Sequence, residues 1–74
     1  MKITRQESSR YIVSESNAAL APRTWEVCKE YNSDTETYGG KYWYIYETSN
    51  GMREWYGYGF AKKSDAIKEI QSYL

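Results

Sequence analysis

Lys41-Tyr42-Trp43-Tyr44-Ile45-Tyr46-Glu47-Thr48, Ser49-Asn50-Gly51-Met52, Arg53-Glu54-Trp55-Tyr56-Gly57-Tyr58-Gly59-Phe60 is the stretch that decides the fold. Two aromatic-rich runs flank Asn50-Gly51, and Asn-Gly is the favoured centre of a type I′ hairpin turn. Such a pair of runs predicts antiparallel strands over about 41–48 and 53–60. A two-residue turn places Trp43 opposite Tyr58, Ile45 opposite Tyr56, Tyr46 opposite Trp55, and Glu47 against Glu54, a like-charge pair. A four-residue loop from Thr48 to Gly51 pairs Ile45 with Glu54 instead and removes that repulsion.

Both faces of this hairpin carry rings. With the tight turn, Trp43, Ile45, Tyr56, Tyr58 and Phe60 share one side, while Tyr42, Tyr44, Tyr46 and Trp55 share the other beside Gly57 and Gly59. A glycine in a strand leaves flat backbone that an opposing tyrosine ring can cover.

Outward from the hairpin, Trp25-Glu26-Val27-Cys28-Lys29-Glu30-Tyr31 alternates with period two. It predicts a strand over about 25–31, with Trp25, Val27 and Tyr31 on one face and Glu26, Cys28 and Glu30 on the other. Arg10-Tyr11-Ile12-Val13-Ser14 is a β-branched run that reads as a strand over about 10–14. Residues 1–9 are polar and read as a loose arm or a short edge strand. Residues 16–22 hold a possible helical turn ended before Pro22, and residues 32–40 read as a polar loop closing on Gly39-Gly40.

At the C-terminal end, Ser64 is placed to cap a helix over about 64–74 and Asp65 suits the positive end of its dipole. Ala66, Ile67, Ile70, Tyr73 and Leu74 recur at helical spacing. The expected fold is therefore α+β: a small antiparallel sheet of three to four strands with one C-terminal helix packed on one face. Residues 1–74 show no repeat and no linker, so one domain is expected.

With 74 residues and a single cysteine, Cys28, no intrachain disulfide is available to this chain. The core must come from apolar burial, and nine Tyr, three Trp and one Phe supply it where Leu, Ile and Val are scarce. A lone cysteine and the absence of a long apolar run make the cytosol the default compartment, with no membrane association expected.

Catalysis is not expected. The chain holds no histidine, which removes the commonest general base and the commonest metal ligand. Cys28 lies between Glu26 and Glu30, which disfavour a thiolate. The acidic stretch of Glu26, Glu30, Asp34 and Glu36 lacks the spacing of a calcium loop, and no cofactor or metal is expected. Those carboxylates read instead as a solvated edge or an acidic patch shown to a basic partner.

A helix of roughly eleven residues spans about 16 Å and covers one sheet face only. The other face is then padded by residues 1–22, buried in a homodimer, or turned to a partner. Tyr, Trp and Arg dominate binding energy at interfaces. This makes Tyr42, Tyr44, Tyr46, Arg53 and Trp55, with the acidic edge, the expected contact residues for a protein partner. The expected function is a non-catalytic binding module, a small accessory or inhibitor protein that blocks a larger partner. Size and tyrosine-rich composition are similar to those of phage-encoded antagonists of host machinery, anti-CRISPR proteins among them.

The run from Trp43 through Gly51, Phe60, Lys62, Lys63 and Ala66 resembles the three-stranded, one-helix DNA-binding domains of phage integrase arms and plant AP2-type factors. The resemblance covers about the last 35 residues and implies nucleic-acid contact through Lys41, Arg53, Lys62 and Lys63. Those domains carry Arg and Lys on the exposed sheet face, whereas Lys41 and Arg53 stand here against Glu47 and Glu54. Ten basic and ten acidic residues give a net charge of zero, which disfavours a partner held by phosphate contacts.

Overall fold

Alternation in the N-terminal half builds the centre of the sheet. In the computed structural model, residues 2–15, 23–48, 54–55 and 57–73 are described. They form β1 (Lys2–Glu7), β2 (Arg10–Ser14), β3 (Thr24–Asn32), β4 (Thr37–Glu47), β5 (Glu54–Trp55) and α1 (Lys63–Gln71). The strands make one antiparallel meander in the order β1-β2-β3-β4-β5. The α+β class and the C-terminal helix are as expected. The sheet has five strands rather than three or four, because the polar N-terminal segment pairs along β2.

Val13, Trp25, Val27 and Ile45 are fully buried and meet Ala66 and Ile70 of α1, with Trp43, Phe60, Ile67 and Tyr73 packed around them. Trp25 is the largest of these side chains. Burying about 200 Å² of indole at about 25 cal/mol per Å² is worth about 5 kcal/mol. That exceeds the cost of about 1–3 kcal/mol for an unpaired buried donor, so the indole N–H, which finds no acceptor among the described residues, is tolerated. Arg23 closes this end of the core. Its guanidinium lies 4.9 Å from the Trp25 ring centre, pairs with Glu47 at 3.0 Å and donates to the Tyr73 carbonyl at 3.4 Å.

Several expected boundaries are corrected. Residues 32–40 are not one polar loop: β3 runs through Asn32 and β4 begins at Thr37, so strand continues across Gly39-Gly40. Lys29 pairs with Trp43 and the next residue, Glu30, with Gly39, so one step on β3 spans four on β4. Gly40, with φ +108°, makes that excursion possible. The helix starts at Lys63 with Lys62 as its cap residue and no side-chain cap bond. Ser64 therefore lies inside the first turn rather than capping it. The Asn50-Gly51 turn, Arg53, Tyr56 and Leu74, and the helical turn expected in 16–22, lie outside the described residues.

The second hairpin strand is also corrected. Among the described residues, regular pairing runs over Tyr46↔Trp55 and Glu47↔Glu54, the two-residue-turn register. Arg23 on Glu47 offsets the like-charge contact that this register creates. Farther on, Trp43 bridges Phe60 rather than Tyr58. Three steps along β4 thus match five along the later chain, and Gly57 at φ +67° accommodates the extra length. Tyr58, expected opposite Trp43, is exposed.

On the face away from α1, Glu26 is only 4 % exposed. It is not part of a solvated acidic edge. The register sets it between Ile12 and Tyr46, and Arg10 Nη2 donates to its carboxylate at 3.1 Å. Glu26 in turn raises the Arg10 pKa through that hydrogen bond, against the opposing effect of burial.

Removing the Arg10 guanidinium takes a charged donor from a carboxylate that is buried from water. Arg10→Ala should destabilise the fold by about 2 kcal/mol, below the range for fully buried pairs because Arg10 keeps water contact. In urea denaturation, the Arg10→Ala/Glu26→Gln double variant should lose less stability than Arg10→Ala alone. An additive double variant would show that the two side chains are not coupled.

Candidate functional site

At the Lys29–Glu30 step the β3–β4 register shifts before regular pairing resumes at Glu30↔Gly39, and aromatic side chains frame the space beside it. Glu30, Tyr31, Tyr44, Tyr46 and Trp55 line an open groove of about 410 Å³. Tyr31 and Trp55 are each 55 % exposed. The Tyr44 and Trp55 ring centres are 6.3 Å apart at 57°. Tyr31 is braced from behind by Tyr38, at 5.0 Å and 58°. These tilted pairs suit the charge distribution of aromatic rings better than a face-to-face stack.

Glycines set the positions of these rings. A Cβ at Gly59 would fall 2.7 Å from Tyr42 Cβ and 3.2 Å from Tyr44 Cε1. Only glycine lets the chain at 59 lie that close, so Tyr42 and Tyr44 cover it as the sequence suggests. Gly57 has no such neighbour and serves the turn instead.

Among the described lining residues, Glu30 is the single carboxylate of the groove wall. Tyr44 donates its hydroxyl to Glu30 Oε1 at 2.9 Å. This bond holds the phenol proton and raises the Tyr44 pKa above its ordinary value. Gly40 approaches from the other side, where a Cβ would stand 3.4–3.5 Å from Glu30 Cβ, Cδ and Oε2. Glu30 and Tyr31 also border a second hollow of about 360 Å³ with Asn32, Ser33 and Thr37.

The structure thus brings Tyr44, Tyr46, Trp55 and Glu30 of the expected contact residues to one groove and adds Tyr31. Period-two alternation had grouped Tyr31 with the buried Trp25 and Val27. Its place at the polar end of the run is the one sequence signal that it differs. Tyr42 is exposed outside the groove, with Lys41 Nζ 5.5 Å from its ring centre. Asp34 and Glu36 are exposed on the β3–β4 turn, where the Asp34 amide bonds the Asn32 side chain at 2.9 Å. Glu26 is buried away from the groove. Of the cations suggested for nucleic acid, Lys63 stands 4.0 Å from the Tyr11 ring centre and Lys62 is the helix cap residue. Among the described residues no three His, Cys, Asp or Glu side chains converge to hold a metal ion, and no helix is long and apolar enough to cross a membrane.

The Tyr44–Glu30 bond gives a titration test. A phenol whose folded pKa lies above its unfolded value of about 10 contributes stability below that value and loses it as pH rises through the folded pKa. In an NMR-monitored pH titration of the Tyr44 ring, Glu30→Gln should return the Tyr44 transition toward lower pH. An unchanged transition would show that the bond does not persist in solution.

No known protein family, curated protein or solved structure matches this chain, so its site is read from its own geometry.

Proposed function

We propose that this domain is a non-catalytic protein-binding module whose contact surface is the groove of Tyr31, Tyr44, Tyr46 and Trp55. The observation that carries this reading is the pair of large rings, Tyr31 and Trp55, held more than half exposed around one groove. Exposing them forgoes burial worth about 2 kcal/mol or more per ring. A core-building role would not leave them in water. Aromatic side chains in a partly formed pocket are what interfaces use as anchors.

A small accessory or inhibitor protein, acting by occupying the surface of a larger partner, fits a domain with a shallow groove and no histidine. A cytosolic setting belongs to the same reading, with Cys28 buried and outside any disulfide. No contact of the fold adds to the phage-antagonist analogy. The nucleic-acid reading loses ground because Lys41 and Lys63 lie against the domain's own rings.

The wild-type chain and Tyr31→Ala/Trp55→Ala, immobilised side by side, test the reading by capture from host lysate. The double variant should keep its amide NMR dispersion and lose a specifically captured protein, with affinity down at least about tenfold. Undiminished capture by a folded double variant would sink the proposed surface. Collapse of the NMR dispersion would show that the rings are packing.

A further inference from the structure

Glu30 gives the aromatic groove a sign. We propose that the occupant of the groove is a basic side chain, arginine or lysine, presented by the protein partner; this rests on the binding-module reading above. Ring faces carry negative potential and attract cations, most strongly at Trp. In this groove the rings of Tyr44 and Trp55 stand beside a carboxylate. The Tyr44 hydroxyl occupies Glu30 Oε1, and no described residue donates to Oε2. A cation entering the groove beside this ring pair completes that carboxylate while stacking on the exposed Trp55.

Other occupants fit poorly. An apolar side chain would desolvate Glu30 without supplying a donor, which is costly. An anion would meet Glu30 directly and, nearby in sequence, the exposed acids Asp34 and Glu36 of the β3–β4 turn. The charge balance of the chain conceals this local bias. The bias is local only: the Arg10–Glu26 and Arg23–Glu47 pairs remove equal numbers of opposite charges and leave the overall balance at zero. The same fold already sets basic groups over rings at Tyr38, Trp25, Trp43 and Tyr11. The groove offers the same contact outward.

The isotopically labelled full chain is titrated by NMR with three blocked pentapeptides, Gly-Ser-X-Ser-Gly, where X is arginine, lysine or citrulline. Arginine or lysine should shift the Trp55 indole N–H saturably, with a Kd in the millimolar range, and citrulline at least about tenfold more weakly. Glu30→Gln should weaken arginine binding about tenfold with the rest of the spectrum unchanged. Trp55→Phe, a milder change than alanine, should weaken it and assigns the indole signal. Equal binding of citrulline, unchanged binding by Glu30→Gln, or no shifts up to about 10 mM peptide would overturn the inference. If Tyr31→Ala/Trp55→Ala abolishes lysate capture but Glu30→Gln does not, the binding module stands and its basic occupant falls.

Discussion

One short helix must serve a five-stranded sheet, and the rest of the structure follows from that mismatch. Nine helical residues span about 14 Å. Five strands at about 4.8 Å spacing are about 19 Å across and considerably longer along the strands. The helix therefore covers the middle of one face, where Ala66 and Ile70 meet Val13, Trp25, Val27 and Ile45. Everything outside that footprint has to be closed by long side chains. Arg23 does so at one end by joining Glu47, the Trp25 ring and the last turn of the helix. Lys63 and Lys29 lie over Tyr11 and Trp43 on the flanks. Cations laid on rings bury aromatic surface while keeping their charged ends near water.

The opposite face solves the same shortage differently. Glu26 and Cys28 lie on the central strand between larger neighbours, Ile12 and Tyr46 for one, Arg10 and Tyr44 for the other. Cross-strand pairs of this kind give a sheet its lateral cohesion. The ion pair between Arg10 and Glu26 makes burial of the carboxylate bearable rather than profitable, since such pairs about break even against desolvation. Its value lies in register: a one-residue slip of β2 against β3 would send Arg10 to the helix face and break its ion pair with Glu26.

Period and composition were enough to read the α+β class, the central strand from Trp25 and the C-terminal helix. They failed where tertiary contact overrides local preference. Polar residues 2–7 form a strand only because β2 offers them a ladder, and Gly39-Gly40 sits in β4 because β3 runs on opposite it. Glu26 read as solvated for the same reason: its partner, Arg10, is 16 residues away, and no local pattern announces the pair. Within the site, the hairpin pointed to Tyr44, Tyr46 and Trp55. Tyr31 was missed because alternation predicts a face only while pairing stays regular, and pairing breaks between Lys29 and Glu30.

That break also explains why the groove lies where it does. Regular pairing keeps neighbouring side chains about 5 Å apart and fills the space between strands. At Glu30 the β4 excursion through Gly40, Lys41 and Tyr42 opens the ladder on one side. On the other, the described residues of β5 pair with β4 at Tyr46↔Trp55 and Glu47↔Glu54. The aromatic side chains here meet in tilted pairs, Tyr44 with Trp55 and Tyr31 with Tyr38, instead of closing into a core. They stand tilted around a gap, with Glu30 fixed by Tyr44 at its wall. The irregularities that make this sheet hard to read from sequence are therefore the features that hold its rings apart and leave a space another molecule can enter.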